Sequence, residues 1–182
     1  ELYGLRTWIV AFWAFVTAQA GGAAPLDAIT ISVVASILSL PASLLGNEAA
    51  LRFGRHRAIT VVMLGSAVVA SAIAVTAGVS AWLSLFLLLL YALTVPADSG
   101  ALTSGVTAAA DAQYRGATLA LHSMVGFGLS ALGGWAVGVA IDAAGGANSA
   151  HGWTAAFLVM GGGILLGPLA LWWSRARTGT PL

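Results

Sequence analysis

One acidic residue stands inside a long apolar run, where an ionisable side chain can exchange protons or bind a cation. Asp98 lies about twelve residues from the nearest loop, which is roughly 18 Å of helix. A carboxylate at that depth costs about 2.5 kcal/mol or more, so we expect it to face protein or a water-filled cavity. Pro96, just upstream, allows a kink. We predict proton coupling or cation binding by Asp98; the alternative is a structural carboxylate that caps the kinked backbone or pairs with a nearby serine or threonine.

A histidine and four serines are further polar residues inside apolar runs. His122 lies about 9 Å into its run, and we predict a hydrogen-bonded packing histidine there. The alternative is a proton relay beside Asp98, whose depth differs by about 9 Å. Serines at spacings of three or four residues predict a helix contact, with a cavity lining as the alternative. They are Ser32, Ser36, Ser39 and Ser43.

The elements that must position these residues are membrane helices. The chain is 59% hydrophobic and 7% charged, too few charges to cover the surface of a soluble domain. The absence of cysteine excludes disulfides and thiolate sites, and the seven arginines are nearly balanced by six acids, which argues against binding of nucleic acid. No cofactor is expected. Breaks at glycine, proline and charged residues separate six apolar segments, residues 5–20, 28–50, 58–77, 82–109, 117–141 and 153–173.

Apolar segments of about 20 residues cross a bilayer as helices, because a helix satisfies its own backbone groups in hydrocarbon. The alternation of barrel strands is absent. We therefore predict an all-α integral membrane protein with six transmembrane helices in one unit, residues 1–182, surrounded by the lipid bilayer. Residues 5–77 and 82–173 hold three helices each, which predicts two inverted repeats, a common build for transporters. Because the first residue is Glu1, we expect the chain to be part of a longer protein.

With six spans, all seven arginines fall on one side of the membrane. Loops that contain arginine stay in the cytoplasm, which predicts a multi-pass cell-membrane protein with both termini cytoplasmic. The arginines are Arg6, Arg52, Arg55, Arg57, Arg115, Arg175 and Arg177. Tryptophans at segment ends are expected at the membrane interface. These are Trp8, Trp82, Trp153, Trp172 and Trp173.

The densest group of arginines, RFGRHR at 52–57, lies between the second and third segments. With its upstream residues it reads GNEAALRFGRHR, which resembles the loop signature of the major facilitator superfamily. That signature has a glycine, small residues, an acid and then Arg-Phe-Gly-Arg-Arg, between the second and third helices of each six-helix half. Here Leu51 stands in place of the acid and Asn47 in place of a glycine. Such a decayed copy is typical of the C-terminal half of the family.

The resemblance implies the C-terminal six-helix half of a secondary transporter, which moves a small-molecule solute across the bacterial inner membrane by alternating access with proton coupling. Its partner would be the N-terminal six-helix half of the same transporter. In this family the first and fourth helices of each half line the central cavity. The resemblance thus implies that Thr17 and Gln19 face Tyr91, Thr94 and Asp98. One buried acid and no buried arginine favour a neutral or cationic solute, or proton-coupled efflux, over an anion.

Charged residues near the second and fourth loops are expected to pair. Glu48 and Arg52 are four residues apart, as are Asp111 and Arg115. The resemblance further implies that Asp111 meets Arg52 or Arg55, in a latch that holds the outward-facing state. The alternative is an ordinary solvated pair worth under about 1 kcal/mol. The signature and the latch together comprise Glu48, Arg52, Gly54, Arg55, Arg57, Asp111 and Arg115.

The fifth segment is rich in glycine. Gly134 and Gly138 form a GxxxG motif, and Gly126 lies two turns upstream. Small residues let helices approach closely in lipid, so we predict tight helix packing at these glycines. Sliding or bending of this helix during alternating access is the alternative.

Other functions of six-span proteins have weaker support. An intramembrane serine protease would need GxSG, and Ala97 takes the place of the first glycine before Ser99. A nucleotide-driven pump would need GxxxxGK[ST], which is absent. The alternative to a transporter is an aquaporin-like channel or another stand-alone six-span membrane protein. A channel is considered because Asn47-Glu-Ala and Asn148-Ser-Ala stand where such channels have Asn-Pro-Ala. Neither box has the proline.

Overall fold

The chain folds into a bundle of α-helices. A computed structural model describes the backbone of residues 1–178 and the side chains of residues 1–173. Every regular element in this range is a helix, so the all-α prediction is confirmed. The α-helices are α1 (Leu2–Gln19), α2 (Ala28–Phe53), α3 (Arg55–Thr76), α4 (Ala81–Thr94), α5 (Ser99–Ala109), α6 (Arg115–Ala143) and α7 (Ala150–Thr178).

Five helical stretches of the described chain are long and apolar enough to cross a membrane. They are α2, α3, the α4–α5 pair, α6 and α7 as far as Trp173. Helix α1, with 18 residues and Arg6 near its start, is not among them. The chain is therefore a helical membrane protein, and the five stretches correspond to the second to sixth segments of the sequence.

The predicted kink at Pro96 is present. Helix α4 ends at Thr94, a 3-10 turn covers Val95–Ala97, and α5 begins at Ser99. Proline cannot donate to the preceding turn and crowds it, which ends α4 at this point. The break leaves Asp98 at the junction between two helices that together form one span.

A single residue joins α2 to α3. Gly54 has φ of +90° and is both the C-cap of α2 and the N-cap of α3. Residues other than glycine rarely adopt this conformation, which accounts for the glycine inside the RFGR sequence. At the other end of α2, the Asp27 side chain accepts hydrogen bonds from the backbone N–H groups of Ile29 and Thr30 and caps the helix.

An aromatic cluster fills the core where α1, α4 and α7 meet. The Phe12 ring lies 5.2 Å from Trp153 and 4.9 Å from Phe157, between ring centroids, and Phe157 in turn contacts Tyr91. Trp153 is fully buried, and its Nε1 donates to the Ala147 carbonyl at 2.7 Å. Trp153 therefore lies near a helix end, as the sequence indicated, but its indole packs against the rings of α1 instead of facing lipid.

The helices differ greatly in the share of their residues that is buried. Helix α3 packs along α7, α1 packs against α2 and α6, and α2 packs against α4 and α5. Helix α6 contains no buried residue from Arg115 to Ala136. More than half of α6 thus presents an uncovered surface of apolar and small residues.

Candidate functional site

Asp98 is buried at the kink, as its predicted depth requires. Its side chain is 7% exposed, and within the described chain its one hydrogen-bond donor is the hydroxyl of Ser99, at 3.4 Å. The burial agrees with the expectation that this carboxylate faces protein rather than lipid. A carboxylate with so few partners retains most of its capacity to bind a proton or a ligand.

Two glycines bring α2 against the kink. A Cβ on Gly46 would overlap the Ala97 carbonyl, and a Cβ on Gly100 would lie 2.7 Å from the Ser43 carbonyl oxygen. The two backbones are therefore in direct contact on both sides of Asp98. Gly46 is the first glycine of the loop signature, so its role in this structure is to allow that crossing.

A cavity of about 460 Å³ opens beside Asp98. The first residues of α1 border it, together with α3, α5, α6 and α7, and both Asp98 and His122 line it. Asp98 and His122 thus border the same cavity, although their predicted depths along their helices differ. The rings of Tyr3 and Phe127 meet edge to face at 5.5 Å on the same wall. The described lining contains acids and an imidazole but neither lysine nor arginine.

Glu1 is a second carboxylate in this cavity, and the sequence analysis missed it. Its Oε1 accepts hydrogen bonds from the Tyr91 hydroxyl at 2.7 Å and the Ser66 hydroxyl at 2.9 Å. Thr94 extends the network with a long bond of 3.4 Å to Ser66. Glu1 Oε2 is buried and has no hydrogen-bond partner in the described chain. Tyr91 therefore contacts Glu1 directly, and Thr94 is connected to Glu1 through Ser66. Asp98 instead lines the cavity.

The contacts of Glu1 fix the depth of α1. Ser66 lies 11 residues after Arg55 and 10 before Thr76, at the middle of α3. Glu1 is therefore near the middle of the bundle, not at an end. Arg6, more than one turn further along α1, is exposed but also lies away from the ends of the bundle, and it lines a second cavity of about 360 Å³.

The expectation that all seven arginines share one boundary is therefore wrong for Arg6. A depth counted from the start of the apolar run places Arg6 at the boundary, whereas the hydrogen bonds of Glu1 set the register of α1. Arg52, Arg55, Arg57 and Arg115 do lie together at one end, where α2, α3, α5 and α6 meet. Arg175 and Arg177 fall outside the side chains that the structure describes.

Two residues that the family resemblance assigned to the same cavity lie elsewhere. Gln19, the last residue of α1, lines a separate recess of about 60 Å³ with Ser80 and Ser84. The Thr17 hydroxyl donates to the Trp13 carbonyl of its own helix. Glu1 borders the cavity of Asp98, and Gln19 is about 27 Å from Glu1 along the axis of α1. The grouping of Thr17 and Gln19 with Asp98 is therefore wrong.

The arginine at the start of α3 is bound to α5. Arg55 Nη1 donates to the Ser104 hydroxyl at 2.7 Å and to the Ala101 carbonyl, and Ser104 donates to the Asn47 side chain at 2.6 Å. A Cβ on Gly105 would lie 2.8 Å from Arg55 Nη1, so the Arg55 side chain packs directly against that glycine. These contacts connect α2, α3 and α5 through side chains of the loop signature.

The predicted latch at this end is not formed in this conformation. Arg52 pairs with Glu48 at 2.7 Å, as the spacing predicted, and this pair is the one ion pair of the described residues. Asp111 Oδ1 instead accepts from the backbone N–H of Gln113, and Arg115 begins the next helix. Arg57 is exposed. A contact between Asp111 and the arginines of the second loop stays a prediction for another conformation.

The GxxxG motif of α6 receives a tryptophan of α1. Trp8 Nε1 donates to the Gly134 carbonyl at 3.0 Å, and a Cβ on Gly138 would lie 2.9 Å from the indole ring. Trp8 therefore packs between helices, which corrects its expected position at the membrane interface. Gly126 has open space around it and lines the cavity of Asp98.

The two boxes that a channel would use do not form half-helices. Asn47 lies inside α2, where it accepts a hydrogen bond from Ser104, and Asn148 is in the connection between α6 and α7. Neither a protein-family model, nor a curated protein, nor a solved structure matches this chain. Residue geometry alone therefore carries the argument on function.

Proposed function

We propose that the chain is the C-terminal six-helix half of a secondary active transporter of the major facilitator superfamily. It moves a small solute across the cell membrane by alternating access, with coupling to protons. The observation that carries this proposal is the buried carboxylate of Asp98, at a helix kink, facing a cavity of about 460 Å³ that Glu1 and His122 also line.

The helix packing is consistent with two inverted triplets, α1–α3 and α4–α7, with α4 and α5 counted as one span. The first helix of each triplet packs against the second helix of the other, namely α1 against α6 and α4–α5 against α2. The third helices, α3 and α7, pack against each other. A two-fold axis in the membrane plane requires these pairings. They support a sixth span formed by α1.

The position of the exposed apolar residues supports contact with a partner half of the transporter. Helix α6 and the larger part of α2 are poorly buried, and both flank the cavities. Small residues on an exposed helix face favour close contact with another helix in lipid. The arginines at the α2–α3 and α5–α6 junctions favour a cytoplasmic location for that end of the bundle.

Proton coupling follows from the cost of closing such a cavity. An ionised carboxylate that loses water as the cavity closes becomes expensive, and binding of a proton removes its charge. Glu1 and Asp98 share the cavity and its described lining has no arginine, so two negative charges there disfavour each other. Closure is therefore easier with a proton bound, which links proton binding to the change of access.

The chain lacks cysteine, so one introduced thiol reports access to one position. Ser130→Cys lies on the cavity wall, and Asn148→Cys in an exposed connection serves as reference. A membrane-impermeant maleimide is applied to either side of vesicles that contain the protein. We expect labelling of Ser130→Cys from one side, at a rate relative to the reference that changes with pH. Asp98→Asn should remove that change, whereas the exposed Asp142→Asn should keep it.

Two results would contradict the proposal. If the labelling of Ser130→Cys still depends on pH after Asp98→Asn, then Asp98 is not part of the mechanism. Labelling from both sides at once, together with a raised osmotic water permeability of the vesicles, would favour the channel alternative.

A further inference from the structure

Arg6 is an exposed cation near mid-depth of the bundle, and it has no anionic partner among the described residues. Trp8, half a turn further along α1, donates to Gly134, which lies nine residues before Ala143 at the end of α6. That spacing is about 14 Å of helix, close to half the thickness of the hydrocarbon. The Arg6 side chain is exposed, and no carboxylate of the described residues lies within ion-pair distance.

An unpaired guanidinium at mid-depth needs water or an anion. Charged side chains in membrane segments are rare and almost always face a cavity or a partner. Arg6 lines the cavity of about 360 Å³ between α1, α2 and α4. The described lining of this cavity contains no acid. Glu1 and Asp98 belong to the other cavity, so neither neutralises Arg6 from within its own site.

The opposite wall of the same cavity presents hydroxyl groups. Ser36 donates to the Ser32 carbonyl at 2.8 Å, and Ser39 donates to the Ser36 carbonyl at 2.6 Å. The Ser32 hydroxyl has no hydrogen bond within the described chain and is available as a donor. A guanidinium fork with a nearby hydroxyl is suited to a carboxylate or phosphate group, which accepts several hydrogen bonds.

We propose that Arg6 and the Ser32 hydroxyl bind the carboxylate or phosphate group of a small organic anion. The identification of that anion as the transported solute rests on the proposed transporter function; binding itself does not. The serine face of α2 is then a cavity lining, and the neutral or cationic solute that the sequence favoured is replaced by an anion. A proton taken up by the carboxylates of the neighbouring cavity would offset the charge of this solute.

Phenylglyoxal, which modifies arginine, tests the site directly. The purified chain in nanodiscs of neutral phosphatidylcholine is treated with the reagent, and modification of Arg6 and Arg57 is followed by mass spectrometry. Inorganic phosphate and citrate are the probes, at constant ionic strength. We expect a probe to slow modification of Arg6 by the factor 1 + [L]/Kd, about tenfold at nine times Kd, while the exposed Arg57 is unaffected.

Variants distinguish a site from a general salt effect. Ser32→Ala should weaken protection of Arg6, whereas Ser43→Ala, on the same helix but outside the cavity, should not. Equal protection of Arg6 and Arg57, or no protection of Arg6 by either probe, would overturn the proposal. Protection by phosphatidylglycerol in the nanodisc without added probe would assign the site to a lipid headgroup and would also overturn the solute assignment.

The outcome is separable from that of the transport proposal. If Arg6 is unprotected while Ser130→Cys keeps its pH-dependent labelling through Asp98, the anion site is wrong and the transporter stands. If Arg6 is protected but the labelling does not depend on Asp98, the anion site stands and proton-coupled transport is wrong.

Discussion

Arg55 donates a hydrogen bond of 2.7 Å from Nη1 to the hydroxyl of Ser104, and this bond fastens the start of α3 to the middle of α5. The same nitrogen also donates to the Ala101 carbonyl, and Ser104 continues to Asn47 on α2. A residue that sequence reasoning assigned to an electrostatic latch therefore joins three helices through neutral acceptors. Neutral acceptors do not depend on salt as an exposed ion pair does.

Arg55→Ala should destabilise the bundle, because it leaves Ser104 and the Ala101 carbonyl without a charged donor. Loss of hydrogen bonds to a charged group costs about 1.5–3 kcal/mol. The change is measured as the free energy of unfolding in mixed detergent, with Arg57→Ala as the control because Arg57 is exposed. Equal effects of the two substitutions would contradict the role given to Arg55.

Gly46→Ala should be poorly tolerated, because its Cβ would overlap the backbone carbonyl of Ala97. The helices would have to separate, and overpacking of this kind costs about 1–3 kcal/mol. Gly65→Ala on α3 is the matched control, since nothing lies within 4 Å of its Cβ position. The unfolding temperature should fall for Gly46→Ala and should stay unchanged or rise for Gly65→Ala. A Gly46→Ala protein as stable as the wild type would argue against the close crossing.

The two glycines of the GxxxG motif should respond differently to alanine. At Gly138 a Cβ would lie 2.9 Å from the Trp8 ring, whereas at Gly134 the nearest atom is the Thr7 hydroxyl at 3.9 Å. Gly138→Ala should lower the unfolding temperature and displace the Trp8 indole, and Gly134→Ala should have little effect. The displacement is read from the Trp8 contribution to fluorescence, which is the difference between each protein and the same protein with Trp8→Phe. Equal sensitivity of both glycines would mean that Trp8 does not set the contact.

The cap at Asp27 should make stability depend on pH. Hydrogen bonds from the hydroxyl and the amide of Thr30 hold the pKa of the Asp27 carboxyl below its ordinary value of 3.8. The ionised cap therefore stabilises the fold above pH 3.8, and this contribution is lost as the pH falls through the lower folded-state pKa. Asp27→Asn still caps the helix but does not titrate.

The wild type and Asp27→Asn are compared by their unfolding temperatures from about pH 2 to pH 6. The difference should favour the wild type above the ordinary carboxyl pKa and shrink in acid. A difference that is constant across this range would show that the charge of Asp27 does not contribute.

The sequence predicted the helices and the kink well, because these depend on local composition. Long apolar runs, Pro96 and Gly54 each dictate their own conformation. Asp98 was predicted to be buried for the same reason: a carboxylate in the middle of an apolar run has few other options.

The depth of α1 could not be predicted, because long-range contacts determine it. Glu1 reaches Ser66 and Tyr91, which are 65 and 90 residues away in the chain. These bonds bring Arg6 to the middle of the bundle and move Gln19 away from Asp98. No local pattern around Glu1 indicates such partners.

Two indole rings tie loops at the same end of the molecule to one aromatic core. Trp13 donates to the Leu26 carbonyl ahead of α2, and Trp153 donates to the Ala147 carbonyl ahead of α7. Neither loop can swing outward without exposing a large fully buried ring. The aromatic residues at the opposite junctions, Phe53 and Tyr114, are already exposed. The two ends of the bundle are therefore held by different contacts, buried indole rings at the loops before α2 and α7 and the hydrogen bonds of Arg55 at the end that contains the arginines.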